Sequence, residues 1–102
     1  MKLAIIGGTG KQGSALAQRF ARAGVPVILG SRDAARAETA AAGLRQRLGV
    51  QQVSGASNRD AAASADVVLL SVPYEGMTPI LADVHEAAQG KIVINIASAL
   101  DP

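Results

Sequence analysis

Cysteine is absent from the 102-residue chain, which excludes disulfides and thiolate metal sites within it. Tryptophan is absent too, and Phe20 and Tyr74 are the sole aromatic residues. The single histidine, His85, has no second ligand at a metal-binding spacing. It falls between Asp83 and Glu86 in a helical pattern and is expected to face solvent. The net charge is only +2, the basic residues form no run, and no aromatic platform accompanies them. Nucleic acid is therefore not an expected partner. No apolar stretch approaches the roughly 20 residues of a membrane span, so no membrane partner is expected. The opening MKLAIIGG is too short for a signal peptide. A cytoplasmic protein is the expectation.

What is present is aliphatic. The chain is 49% hydrophobic, so its core must be packed from Ala, Val, Leu and Ile. The length fits one small domain over residues 1–102. Strand-like runs alternate with Ala-rich helical stretches. Lys2 to Gly7 reads as a buried strand, and Gly13 to Gly24 as a helix stopped by Gly24. Leu16, Phe20 and Ala23 share one face of that helix. Val25 to Gly30 reads as a second strand, with Pro26 tolerated at its start. Asp33 is a candidate N-cap for a helix over Ala34 to Leu48.

Val50 to Ser57 reads as a shorter, more polar strand suited to a sheet edge. Asn58 is then expected to cap a brief helix through Ala63. Ala65 to Val72 is apolar on both faces. A helix from Met77 or Thr78 to Ala88 and a fifth strand, Lys91 to Ser98, complete the pattern. Strands separated by helices need crossover connections, hence a parallel sheet with helices on both faces. The expected fold is α/β, a Rossmann-type doubly wound sheet of five strands in the order 3-2-1-4-5.

Gly8-Thr9-Gly10-Lys11-Gln12-Gly13 matches G-x-G-x-x-G. The pattern alone is weak, but here it follows a strand and opens a helix. Gly8 permits the tight turn, Gly10 lets a pyrophosphate approach the backbone, and Gly13 lets the helix pack close to the strand. Unpaired N–H groups at the helix N-terminus and the helix dipole would meet the negative charge. A mononucleotide P-loop does not fit, because Gln12 stands where Ser or Thr should follow Lys11.

A site for NAD puts a carboxylate at the end of the second strand, where it takes the ribose hydroxyls. Gly30-Ser31-Arg32 stands there instead, and Asp33 is better explained as a helix cap. Ser31 offers a hydroxyl, and Arg32 a planar fork suited to phosphate oxygens. Arg36, four residues on, can face the same site. The expectation is a clamp for the 2′-phosphate of NADP. A charge-assisted hydrogen bond contributes about 1.5–3 kcal/mol, enough to favour NADP over NAD by roughly tenfold to a hundredfold.

With these residues in place, the chain resembles the NADP-dependent oxidoreductases that use the deazaflavin coenzyme F420. The motifs that carry the resemblance are GGTGKQG, GSR with a basic residue at position 36, ASNRDAAASADVVLLSVPYEG, and KIVINIAS. It runs from Met1 to about Ser98. It implies that Thr9, Ser31, Arg32 and Arg36 hold the 2′-phosphate end, and that Gly10, Lys11 and Gln12 bind pyrophosphate. It also implies that Ser71, Val72 and Pro73 border the nicotinamide half and that Ala97 lies near the nicotinamide. Tyr74 either lines the deazaflavin pocket or fills the helix–strand junction.

The implied activity is hydride transfer between NADP(H) and coenzyme F420, a small-molecule substrate. Such transfer needs positioning rather than a side-chain nucleophile, so no catalytic residue is expected, and Glu75 and Asp66 are not expected to act as bases. Proteins of this kind continue for about another hundred residues, beyond an average small domain, into a sixth strand and a helical domain on the substrate side. The chain stops at Asp101-Pro102. Three expectations follow: a fragment or minimal relative, a stand-alone NADP-binding module as the alternative to an enzyme, and a homodimer that covers the surface a further domain would shield.

Overall fold

The structure, a computed structural model, describes residues 1–7, 11–70, 84, 86–87 and 89–95. Chain order is β1 (Leu3–Ile6), α1 (Lys11–Arg22), β2 (Val27–Ser31), α2 (Ala34–Leu48), β3 (Val53–Ser57), α3 (Asn58–Ser64), β4 (Val67–Leu70) and β5 (Ile92–Asn95). The strands form one five-stranded sheet in the order β3-β2-β1-β4-β5. Every pairing is parallel, with Leu3 opposite both Val27 and Val67. This is the doubly wound order expected from the alternating pattern.

Strand alternation sorts the aliphatic residues into two layers. Leu3, Ile5, Val27, Leu29, Val53, Val67 and Leu69 pack toward α1 and α2. Ala4, Ile6, Ile28, Val68 and Leu70 pack with Ala61, Ala62 and Ala65 of α3 and its end, together with Val84. Helices therefore cover both faces, and β1, β2 and β4 are buried throughout.

Several boundaries differ from the sequence expectation, each for a local reason. Helix α1 begins at Lys11 rather than Gly13, which is accommodated within its first turn. It approaches the sheet most closely through Ala17 and Ala21, both fully buried, while Leu16 and Phe20 are half-buried beside them. Ala23, expected on that face, is exposed. Gly24 takes a φ of +86° and ends the helix as expected. Strand β2 starts at Val27; Pro26 precedes it and contributes only its carbonyl, which accepts from the Leu3 N–H at 2.9 Å. Asp33 does cap α2, accepting from the N–H groups of Ala35 and Arg36.

The cap of α3 is Ser57, whose Oγ accepts from Asp60 N–H at 3.1 Å. Asn58, expected to be that cap, is the first helical residue and only 2% exposed. The helix expected from Met77 or Thr78 to Ala88 lies outside the described residues except for Val84, Glu86 and Ala87, and so do Tyr74, Glu75 and His85.

Strand β3 forms one edge, as its polarity suggested. Val27 N–H donates to Gln52 C=O at 2.9 Å, so the outward groups of β3 belong to Val53 and Gly55. Helix α2 satisfies them: Arg45 Nη1 donates to Val53 C=O at 2.6 Å, and Gly55 N–H donates to Glu38 Oε2 at 3.1 Å. Glu38 and Arg45 are themselves paired at 2.7 Å.

Candidate functional site

The chain leaves β1 toward β2 and β3 on one side and returns to β4 and β5 on the other. In doubly wound sheets ligands sit outside the carboxyl ends of the strands, at such a reversal of strand order. Gly7 follows β1 with a φ of +77°, a conformation that favours glycine. Its N–H donates to Gly30 C=O at 3.1 Å, which ties the start of the glycine loop to the end of β2. Gly8, Thr9 and Gly10 lie outside the described residues. Lys11 and Gln12 form the start of α1, with their side chains outside the description, and Gly13 is buried. The first turn of α1 holds no acid, while Arg19 and Arg22 occupy its last turn. No acidic side chain of that first turn offsets the positive end of the helix dipole.

The end of β2 is built by a short relay of side-chain bonds. Ser31 is 8% exposed, and its Oγ accepts from Asp33 N–H at 3.3 Å. The hydroxyl keeps its own hydrogen for a second bond. The Asp33 carboxylate accepts from Ala35 N–H at 2.9 Å and Arg36 N–H at 3.3 Å, so its charge serves the helix. Arg32 and Arg36 are both exposed. Among the described residues, neither guanidinium has a hydrogen-bond or ion-pair partner. Arg32 lies in the turn ahead of the cap, so the two arginines are related through that turn rather than along one helical face. Two cations without a partner among the described residues stand at a helix N-terminus and oppose its dipole; an anion there would relieve both. Ser71, Val72, Pro73 and Ala97 lie outside the described residues.

The burial of Asn58 escaped the sequence reading, which took it for a helix cap. Its Oδ1 is buried and has no hydrogen-bond partner among the described residues, an arrangement that costs about 1–3 kcal/mol. The spacing S-x-x-D from Ser57 to Asp60 marks Ser57 as the cap and was the available signal that Asn58 is not.

Chemistry elsewhere is structural. Asp66 sits at the amino-terminal edge of the sheet, where Lys2 N–H donates to its carboxylate at 2.9 Å. A shallow hollow of about 240 Å³ lies at that same edge, beside Lys2, Pro26, Ile28 and Ser54. The Arg45 guanidinium bonded to Glu38 holds that carboxyl below its ordinary range, helped by the Gly55 N–H and opposed by partial desolvation. No cluster of His, Cys, Asp or Glu among the described residues could hold a metal ion. No helix among them is long and apolar enough to cross a membrane.

The sequence model of the family described as "NADP oxidoreductase coenzyme F420-dependent" matches residues 2–99. The chain is 48% identical to the F420-dependent NADP reductase of Methanothermobacter thermautotrophicus over 103 aligned positions, covering 99% of this chain and 44% of that protein. It is 43% identical to the F420-dependent NADP reductase of Methanocaldococcus jannaschii, covering 98% of this chain and 46% of that protein. The chain thus spans less than half the length of these relatives. A solved structure from Arthrobacter sp. fb24, provisionally described as an F420-dependent NADP-reductase, superposes with a TM-score of 0.76 at 31% identity, covering 94% of this chain and 45% of that one.

Proposed function

The chain belongs to the coenzyme F420-dependent NADP oxidoreductase family, and from that premise we propose that residues 1–102 are a single NADP(H)-binding domain serving hydride exchange with a deazaflavin. The observation that carries the proposal is the end of β2: Ser31, Arg32 and Arg36 stand where a carboxylate would serve NAD, and the nearest one, Asp33, is committed to the α2 cap. Ser31, Arg32 and Arg36, with Thr9, take the 2′-phosphate. Gly8 and Gly10 keep the loop tight and open, Lys11 and Gln12 take the pyrophosphate, and Gly13 seats α1 against β1. Ser71, Val72, Pro73 and Ala97 border the nicotinamide. When bound, the nicotinamide supplies the carbon that exchanges hydride. The chain's own work is to bind, orient and shield that ring, and no side-chain acid or base is required.

The second reading is a stand-alone NADP-binding module without turnover. The ligands are small molecules in either reading, nucleic acid and membrane take no part, and a cytoplasmic location goes with both. A homodimer through the exposed strand β5 is part of the proposal.

Calorimetry with NADPH and NADH tests the cofactor. NADPH is expected to bind more tightly by roughly tenfold to a hundredfold, and Arg32→Ala is expected to erase that margin while leaving NADH unchanged. Equal losses for both cofactors would remove the 2′-phosphate assignment. Oxidation of NADPH by coenzyme F420, followed on this chain and on a version extended to the relatives' length, separates the two readings. Turnover by the extended version alone supports the division of labour; turnover by neither leaves the module.

A further inference from the structure

We infer that Asn58 is a positioning residue of the nucleotide site, setting where the end of β2 stands and hence where Ser31 and Arg32 leave the sheet. The inference rests on the proposed 2′-phosphate role of those residues.

Gly30 immediately precedes Ser31. A Cβ on Gly30 would lie 2.9 Å from Asn58 Oδ1, 3.1 Å from Ile6 Cδ1 and 3.3 Å from Ala61 Cβ. The missing side chain is therefore the space that α3 uses to approach β2. Ile6 Cδ1 and Ala61 Cβ, both beyond 3.0 Å, need give by only a few tenths of an ångström, whereas the Asn58 contact is shorter than real Cβ contacts. Asn58 is the constraining neighbour, because it belongs to the first turn of α3 and is itself buried. That helix is held at both ends. Ser57 caps its start, and Lys91 Nζ donates to the carbonyls of Ala63, at 2.7 Å, and Ala65 at its finish.

Gly30 is held on a second side, where its carbonyl accepts from Gly7 N–H at 3.1 Å. One residue thus joins the glycine loop, the end of β2 and the start of α3. Asn58 Oδ1 has no hydrogen-bond partner among the described residues, so no bond to them accounts for its position. Its useful property is size: a carbonyl oxygen allows a closer approach to the Gly30 backbone than a methyl group of the same reach. A bulkier atom at either side of the contact moves the β2 terminus away from α3, and carries Ser31 and Arg32 with it.

The test is calorimetry with 2′,5′-ADP, which carries the 2′-phosphate, and 5′-AMP, which lacks it. Wild-type protein is expected to prefer 2′,5′-ADP; without that preference the cofactor reading falls, and the inference with it. Given the preference, Gly30→Ala is expected to weaken 2′,5′-ADP about tenfold through misplacement of its contacts and to leave 5′-AMP nearly unchanged. Removing the obstacle in the double variant Gly30→Ala/Asn58→Ala is expected to restore 2′,5′-ADP affinity to within about threefold of wild type. A folded double variant no better than Gly30→Ala, or a Gly30→Ala protein that binds like wild type, overturns the inference.

Asn58→Leu probes the same contact from the other side, should Gly30→Ala not fold. It replaces the orphaned oxygen by an apolar group, so the thermal midpoint of the free protein is expected not to fall, while 2′,5′-ADP affinity drops as in Gly30→Ala. A lower midpoint with unchanged discrimination between the two nucleotides assigns Asn58 an ordinary packing role and overturns the inference.

Discussion

The two edges of the sheet are finished in opposite ways. At β3, helix α2 lies so close that its side chains close the ladder: Arg45 takes the Val53 carbonyl and Glu38 takes the Gly55 N–H. At β5, Ile92, Val93 and Ile94 are 63%, 45% and 44% exposed. Successive strand residues point to opposite faces, so both faces of β5 present apolar surface. A capped polar edge resists pairing with another chain, whereas an exposed apolar one invites it. The first edge is completed by residues of this segment. The second presents apolar side chains to solvent.

The largest expected effect breaks the sealed edge. A Cβ on Gly55 would lie 2.3 Å from the Ala37 carbonyl carbon and 2.4 Å from Glu38 N. Those are backbone atoms and cannot turn aside. Gly55→Ala should force α2 off β3 and cost on the order of 3 kcal/mol, read as a fall in thermal midpoint of roughly 10 °C or more. Gly43, in the middle of α2, has nothing within 4 Å of a built Cβ. Gly43→Ala is the matched control and should stabilise the helix by about 0.5–1 kcal/mol; similar midpoints for the two variants would remove the close-approach argument.

Next comes the tie between the β5 side and α3. Lys91 donates to the Ala63 and Ala65 carbonyls at the end of α3, where a cation also complements the helix dipole. Lys91→Met keeps the aliphatic stem and removes the donor, and should destabilise by about 1–2 kcal/mol in urea titration. No change in the midpoint would mean that the exposed edge is held by packing alone.

A smaller effect sharpens the chemistry of the β3 edge. Glu38 is bonded to Arg45, which lowers its carboxyl pKa from an ordinary 4.5. A depressed carboxylate contributes stability that is present above its unfolded-state pKa and is lost as pH falls through its folded-state pKa. The pair is exposed on the Glu38 side, so Glu38→Gln should cost only about 0.2–1 kcal/mol at pH 7. The gap between variant and wild type should close below the lowered pKa of Glu38. A gap that persists at pH 2 would place the contribution of Glu38 in packing rather than charge.

The smallest expected change in stability is at the open edge. Ile94→Lys should alter the stability of the monomer by no more than about 0.5 kcal/mol, since the residue is already solvated. The same substitution should reduce self-association, measured by sedimentation, if a second copy covers β5. Unchanged association by this variant would direct attention to another surface.

Strand order and the crossover pattern were legible because they rest on relations between neighbours in the chain. The aliphatic runs at Leu3–Ile6 and Val67–Leu70, the glycine loop between strand and helix, and the carboxylate of Asp33 one residue ahead of α2 each declare themselves within a few positions. The Ser31-Arg32 turn was legible for the same reason, as a departure from what usually ends a second strand. Distances between layers were not. That Ala17 and Ala21, not Ala23, face the sheet, that Gly55 lets α2 touch β3, and that Asn58 turns inward against Gly30 all depend on which helix crosses which strand, and at what height. Hydrogen-bond caps and hydrophobic period are set by local dihedral preference and side-chain chemistry, so the chain determines them residue by residue. Close approach is a property of two segments at once, and only the packed sheet decides which glycine must stay bare and which buried amide goes without a partner.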